Sequence, residues 1–292
     1  MTRRGFDAAR GGAASTGAGS AVGIVLVHGI RTSRTMWRAQ HEALEAAGAQ
    51  VRSVDLPGHG ARIDESFTVA GALAVIDDAV EELGGSAVVG GLSLGGYLAI
   101  EYAARRPEKV LALVAAGCCT SPRSVLRTAW VWLARRIEST SDSGARLNDF
   151  MVRHTLTETA AQDVGAGGFA LGVMSGALTE VGSLDPLRAL RSLRCPVRLV
   201  NGRYDHFRTQ ERRYLAAARA SGQRAELVVV PRARHLVSLD APVAFGRVLL
   251  EVVDEVQAGR AQGSGVHSST GCSGAVAGIE EAPGSGPAYE RG

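Results

Sequence analysis

Ser93, Asp205 and His235 are the residues of this chain whose types and positions suit chemistry. Each lies just past a short β-branched run: Ser93 in Gly91-Leu92-Ser93-Leu94-Gly95 after Ala87–Val89, Asp205 in Asn201-Gly202-Arg203-Tyr204-Asp205 after Val197–Val200, and His235 in Pro231-Arg232-Ala233-Arg234-His235 after Glu226–Val230. A hydroxyl is a poor nucleophile at neutral pH and needs a base to take its proton. An imidazole base in turn needs a partner that fixes its tautomer and steadies its charge. A serine, a histidine and a carboxylate together are suited to acyl transfer. If the three runs are strands of one parallel sheet, all three groups reach its carboxyl edge, where open sheets carry their sites. Plainer readings stand beside this one. The chain holds 37 glycines, so Ser93 could sit in an ordinary loop. Asp205 could cap a following helix, and His235 could be a surface residue in an arginine-rich loop. Asp185 precedes its strand and Asp240 falls just after the histidine, so both are poorly placed as the acid.

The elements that must position these groups alternate along the chain. Six β-branched runs are predicted as strands: Val22–Val27, Gln50–Val54, Ala87–Val89, Val110–Val114, Val197–Val200 and Glu226–Val230. Several are nearly continuous in apolar character, as strands buried on both faces require. Helical patterns fall between them at Thr35–Ala47, Val69–Leu83, Leu94–Arg105, Thr209–Ser221 and Pro242–Gln257. This alternation predicts an α/β fold, with at least six mostly parallel strands and helices on both faces. Between about residues 120 and 185 the pattern holds helices and no strand: Val125–Ile137, Leu147–Leu156 and Val164–Leu178. An insertion of this size reads as a cap over one end of the sheet, or as extra core helices. Residues 1–20 and 258–292 are rich in Gly, Ala and Ser and lack periodicity, so both are expected to be disordered around one domain at 21–257.

Bulk properties exclude several classes. The formal net charge of +3 is small for 292 residues, and the basic residues form no block, which argues against a nucleic-acid partner. No apolar run approaches the ~18 residues of a membrane helix. Arg3, Arg4 and Arg10 are not followed by an apolar stretch, so no secretory signal is expected. Cys118, Cys119, Cys195 and Cys272 match neither zinc nor disulfide spacing and read as reduced thiols of a cytoplasmic protein. No histidine pair has metal-ligand spacing, and no phosphate-cradling glycine loop occurs, so neither metal nor cofactor is expected.

The Ser93 turn can be argued from its residues. A serine lifted out of a strand end onto a helix N-terminus needs a disfavoured backbone, at a cost of about 1–3 kcal/mol. Gly91 and Gly95 lack Cβ atoms and let strand and helix approach. Free N–H groups at the helix start then favour developing negative charge.

Taken together, GLSLG, His28-Gly29 after the first strand, Asp55-Leu56-Pro57-Gly58-His59-Gly60 after the second, NGRYD and RHLVSLDAP resemble the α/β-hydrolase fold over about residues 21–256. The order Ser, Asp, His is that family's own. The resemblance implies Ser93, Asp205 and His235 as catalytic triad, with the backbone N–H groups of Ile30 and Leu94 as oxyanion hole. Gly29 would let the chain pass close to the substrate, and His28 would support the oxyanion loop by hydrogen bonding. His59 falls in what resembles a structural loop, and His206, beside the acid, has a substrate contact and a surface role equally open. The nucleophile is serine, unlike the aspartate of the dehalogenase and epoxide-hydrolase branches. Few residues precede Val22, so a leading β-hairpin is not expected.

The function expected from this resemblance is cofactor-independent hydrolysis of a carboxylic ester through an acyl-enzyme on Ser93. The alternatives are another reaction on the same fold (C–C, lactone, thioester or amide cleavage, acyl transfer, lyase chemistry) or a ligand-binding protein that keeps the shell. Trp130, Trp132, Leu133, Leu147, Phe150, Met151, Phe169, Leu171 and Met174 make the insertion apolar. They either bury it against the sheet or face the pocket, in which case a small apolar ester is the expected partner. Activity is expected to rise with pH as His235 loses its proton.

Overall fold

The computed structural model of the protein describes residues 21–123 and 125–266. The predicted loose segment 1–20 and the tail from residue 267 onward lie outside those residues. In chain order the elements are β1 (Gly23–Val27), α1 (Arg38–Ala46), β2 (Gln50–Val54), α2 (Val69–Glu82), β3 (Ala87–Leu92), α3 (Leu94–Arg105) and β4 (Val110–Ala116). Then come α4 (Val125–Glu138), α5 (Ala145–Thr155), α6 (Glu158–Ala166), α7 (Met174–Val181), α8 (Pro186–Arg191), β5 (Val197–Gly202), α9 (Glu211–Arg219), β6 (Ala225–Val230), α10 (Val237–Asp240) and α11 (Pro242–Val266).

All six strands form one sheet in the order β2-β1-β3-β4-β5-β6, every pair parallel. The chain steps from β1 out to β2, returns across β1 to β3, and then proceeds outward to β6. The direction of winding therefore reverses between β1 and β3, and a crevice opens at such a point at the strands' carboxyl ends. Register aligns the ends around it: Val27 pairs with Gly91, Gly91 with Ala115, and Ala116 with Val200.

Alternation along the strands builds two cores. Val25 and Val27 belong to one core with Ile76, Leu98, Leu190 and Tyr214, whereas Ile24 and Leu26 belong to the other with Trp37, Leu44, Phe245 and Leu249. Trp37 and Phe245 stack at 5.8 Å and tie α11 to the segment after β1. Fully burying side chains of this size contributes about 1.5–3 kcal/mol each, which holds the frame around the crevice.

Several boundaries differ from the sequence expectation; apart from strand ends that run two or three residues further, three differences stand out. The apolar pattern Val164–Leu178 is not one helix: it divides into α6 and α7 around Gly167 and Gly168, the latter at φ +74°. The last helix continues past Gln257 to Val266, and Arg260 on that extension donates to the Ser86 hydroxyl at 3.1 Å. The predicted start at Thr35 is a short 3-10 turn, Arg34–Trp37, before α1 proper.

The inserted helices reach the carboxyl edge of the sheet. Ala170 N–H donates to Arg31 O at 3.2 Å beyond β1, and Val173 packs over Gly58 beyond β2. Phe169 of the insertion packs against one core, but most of the insertion's large apolar residues do not. Trp130, Trp132 and Leu133 on α4 and Leu147, Phe150 and Met151 on α5 are all exposed, Trp132 at 66%. Among the described residues no helix is long and apolar enough to cross a membrane.

Candidate active site

Ser93 follows the last residue of β3 and is the N-cap of α3. Its backbone lies at φ +56°, ψ −113°, outside the regions open to L-residues at low energy. The pose is held from both sides. Ser93 N–H donates to Ala116 O at 2.8 Å on β4, and Ser93 O accepts from Tyr97 N–H at 3.1 Å in α3. Only glycines fit around it. A Cβ on Gly91 would overlap the Gly95 carbonyl, and one on Gly95 would overlap the Val27 carbonyl and stand 2.7 Å from that of His28. The Ser93 hydroxyl makes no capping bond to its own helix.

It meets His235 instead. Ser93 Oγ lies 3.0 Å from His235 Nε2, and His235 Nδ1 lies 2.9 Å from Asp205 Oδ1. The sheet thus brings the three groups expected from sequence into one chain of hydrogen bonds. An ionised Asp205 only accepts, so the ring proton belongs on Nδ1 and Nε2 is left to accept from the serine. Asp205 has no exposed side-chain surface, while His235 is 19% exposed. Burial works to raise the Asp205 carboxyl, but the hydrogen bond and charge of His235 and the amide of Phe207 outweigh it and hold the carboxyl below its ordinary value. Phe207 N–H donates to the same oxygen, Asp205 Oδ1, at 2.8 Å. The other carboxylates considered from sequence serve elsewhere. Asp185 caps α8 by accepting from Arg188 N–H, and Asp240 accepts from the backbone and side chain of Arg234.

The loop after β1 is fixed by its carbonyl. Gly29 O accepts from His28 Nδ1 at 2.7 Å and from the Thr32 hydroxyl at 2.8 Å. In a planar trans peptide the C=O and the following N–H point in opposite directions, so Ile30 N–H is directed away from those donors. A Cβ on Gly29 would stand 3.6 Å from Ser93 Cβ, an ordinary contact distance, which places the loop directly against the serine. Among the described residues, neither Ile30 N–H nor Leu94 N–H donates to another protein group. Both therefore lack a protein acceptor, and Leu94, directly after Ser93, stands at the positive end of α3.

His28 is locked in one form. Leu56 N–H donates to its Nε2 at 3.0 Å, so that nitrogen must be bare and the proton sits on Nδ1. Burial, and then the neighbouring His59, lower His28 from 6.5 to about 3, against the pull of Gly29 O and Asp55. A base depressed in the folded state excludes a proton that the unfolded chain binds. Its contribution is full above the unfolded value of 6.5 and fades as pH falls toward 3. Between about pH 7 and about pH 4.5, His28 should cost the folded state roughly 2–3 kcal/mol. Urea midpoints at both pH values should converge by that amount in His28→Gln relative to wild type; equal losses in the two proteins would refute it.

His59 is likewise internal: its Nδ1 lies 2.9 Å from Pro57 O and its ring 4.8 Å from that of His28. His206 lies against the site, its ring centroid 5.2 Å from that of His235. Sequence reasoning missed three participants. Thr32 orients the Gly29 carbonyl, Phe207 donates to Asp205, and Gly117 abuts the imidazole. At φ +59° after β4, a Cβ on Gly117 would be 3.2 Å from His235 Cε1. The glycine-cysteine pattern after that strand was the one available signal for Gly117. Cys118 and Cys119 beside it are buried thiols, Cys119 pushed up by burial to about 12, so both remain protonated. A cleft of about 470 Å³ lined by Arg34, Arg38, His41, Arg52 and Asp163 contains none of the three central residues.

The sequence and the fold have parallels among known proteins. The model of the alpha/beta hydrolase family matches residues 24–248. A pimeloyl-[acyl-carrier protein] methyl ester esterase of Nitrosospira multiformis is 30% identical, over 76% of this chain and 90% of its own length. The same-named enzyme of Citrobacter koseri is 27% identical over 80% and 94%. Among solved structures, a thermophilic esterase from Thermogutta terrifontis superposes with a TM-score of 0.67 at 25% identity, covering 82% of this chain and 92% of that one.

Proposed function

Because this chain belongs to the alpha/beta hydrolase family and is an esterase-type hydrolase, we propose that it cleaves a carboxylic ester through a covalent acyl-enzyme on Ser93. The observation that carries this reading is the hydrogen-bonded chain Ser93–His235–Asp205, with bonds of 3.0 and 2.9 Å, at the point where the sheet reverses its winding.

Ser93 Oγ attacks the acyl carbon as His235 Nε2 takes its proton. Asp205 holds the imidazole in the receiving tautomer and stabilises the imidazolium. Negative charge gathers on the former carbonyl oxygen, and the N–H groups of Ile30 and Leu94 receive it; removing one such donor typically slows turnover by ~10²–10³. The intermediate collapses as His235 passes the proton to the departing alkoxide. Water then attacks the acyl-enzyme, giving its proton to His235, and Ser93 recovers a proton as the acid leaves. Every step uses groups of the chain and one water.

For the substrate we infer an uncharged, apolar acyl group esterified to a small alcohol. The apolar make-up of the α4–α7 insertion, which contacts the loops after β1 and β2, supports an apolar acyl group. The methyl ester in the relatives' names supports a small leaving group. A fluorophosphonate probe should label the wild-type protein and not Ser93→Ala. Equal labelling of both, or of neither, would overturn the acyl-enzyme. Short to medium p-nitrophenyl esters should be turned over faster than esters of charged acids, and the reverse order would overturn the substrate class.

A further inference from the structure

The turn that carries Asp205 also places two aromatic rings against the base. The Phe207 ring centroid is 4.7 Å from that of His235, tilted by 43°, and the His206 ring is 5.2 Å away, tilted by 45°. The two rings also touch each other, at 4.4 Å. Neither belongs to a hydrophobic core: Phe207 is half-buried and His206 is exposed. The Phe207 backbone is pinned at both ends, its N–H to Asp205 Oδ1 and its C=O by the Thr120 hydroxyl at 2.8 Å. Its Cα is therefore fixed beside the base, and its ring lies against the rings of His206 and His235.

An imidazole that must take and return a proton needs more than its two hydrogen bonds. The bond to Asp205 fixes one nitrogen, but the bond to Ser93 ends on a hydroxyl rotor and is broken and remade in each turnover. Once that bond opens, rotation about the His235 side-chain torsions would carry Nε2 away from the serine. Gly117 limits the ring along its Cε1 edge. The Phe207 and His206 rings restrict that swing on a further side.

We propose that Phe207, with His206 beside it, is a positioning residue that keeps the His235 imidazole aimed at Ser93 while their hydrogen bond is open. The inference rests on the proposed triad. Aromatic contacts of this kind are modest, so loss of the Phe207 ring should slow the chemical step by about ten-fold rather than abolish it. The ring acts on the base and not on substrate, so kcat should fall while KM stays within about two-fold.

The test uses the full chain, p-nitrophenyl butyrate kinetics and the rate of inactivation by a fluorophosphonate, which shares only the attack step. Phe207→Ala should lower kcat and the inactivation rate constant together, and Phe207→Tyr, which keeps the ring, should restore both. His206→Ala, at an exposed position, should show a smaller loss of the same kind. Phe207→Leu should behave as Phe207→Ala does, and it serves if the alanine variant does not fold. Wild-type inactivation rates in both Phe207→Leu and His206→Ala would overturn the role, as would a rise in KM at unchanged kcat. These results differ from failure of the triad itself, in which Ser93→Ala would be labelled as readily as wild type.

Discussion

Ser93→Ala should reduce kcat/KM for a p-nitrophenyl ester by about four to six orders of magnitude, leaving only what the oxyanion donors and binding supply. The expectation follows from the hydroxyl's single engagement. Among the described residues Ser93 Oγ makes no capping bond to α3 and hydrogen-bonds only with His235 Nε2, so removing it takes away the proposed nucleophile and no other hydrogen bond. His235→Ala should cost nearly as much, and the double variant little more than either, because a nucleophile without its base and a base without its nucleophile are equally idle. A multiplicative loss in the double variant would mean that the two side chains act in separate steps. Stability gives an independent reading of the same position. Alanine inherits the φ of +56°, whereas glycine occupies it freely. Ser93→Gly should therefore be as inactive as Ser93→Ala yet more stable by about 1–2 kcal/mol. Urea midpoints of the two variants decide this, and a glycine variant no more stable than the alanine variant would show that the turn carries no strain.

The second large effect is structural. Gly95→Ala should destabilise the protein by about 3 kcal/mol or more, or prevent folding. Within a helix this substitution ordinarily helps by about 1 kcal/mol, so the expected sign is reversed. The reversal comes from the added methyl group, which would occupy the space of the Val27 carbonyl oxygen and press on that of His28. Val27 ends β1, which is paired on both sides, and His28 follows it; both are fully buried, so neither can retreat without moving the sheet. Gly176→Ala in α7 is the control: a Cβ there meets nothing within 4 Å, and it should be neutral or stabilising. If the two substitutions shift the urea midpoint alike, the close approach of α3 to β1 does not limit the fold.

The contrast between these glycines shows what composition conceals and pattern recovers. The strands were legible from β-branched runs: β1, β3 and β4 are buried almost throughout and nearly continuous in apolar residues, while the edge strands β2 and β6, only partly buried, still carry valines at short spacing. Ser93, Asp205 and His235 were legible because each stands directly beyond such a strand. Thr32, Gly117 and Phe207 were not. Thr32 and Phe207 act on groups three and two residues away, Gly29 O and Asp205 Oδ1, through loop geometry that residue type does not announce, whereas Gly117 meets His235 from a segment remote in the chain. The α6–α7 break was missed because apolar residues continue across Gly167 and Gly168, and nothing in spacing alone stops a helix there. The extension of α11 was missed because Gly259 and Gly263 argue against helix, while the Arg260–Ser86 bond that anchors it lies far away in sequence. The insertion offered two readings, burial against the sheet or a face on the pocket. For Trp130, Trp132, Leu133, Leu147, Phe150 and Met151 the first fails, since all six are exposed.

The parallel connectivity of the sheet also governs when the hydroxyl gains its base. Ser93 and His235 are 142 residues apart, and the histidine follows the final strand. During synthesis from the N-terminus, β1, β3 and the serine turn emerge while β5 and β6 are still unmade. Parallel pairings close long loops and form slowly. A nascent chain that already displays the nucleophile turn thus has no imidazole beside it. On the proposed mechanism, hydrolytic competence arrives only with the edge strand β6 and the loop beyond it.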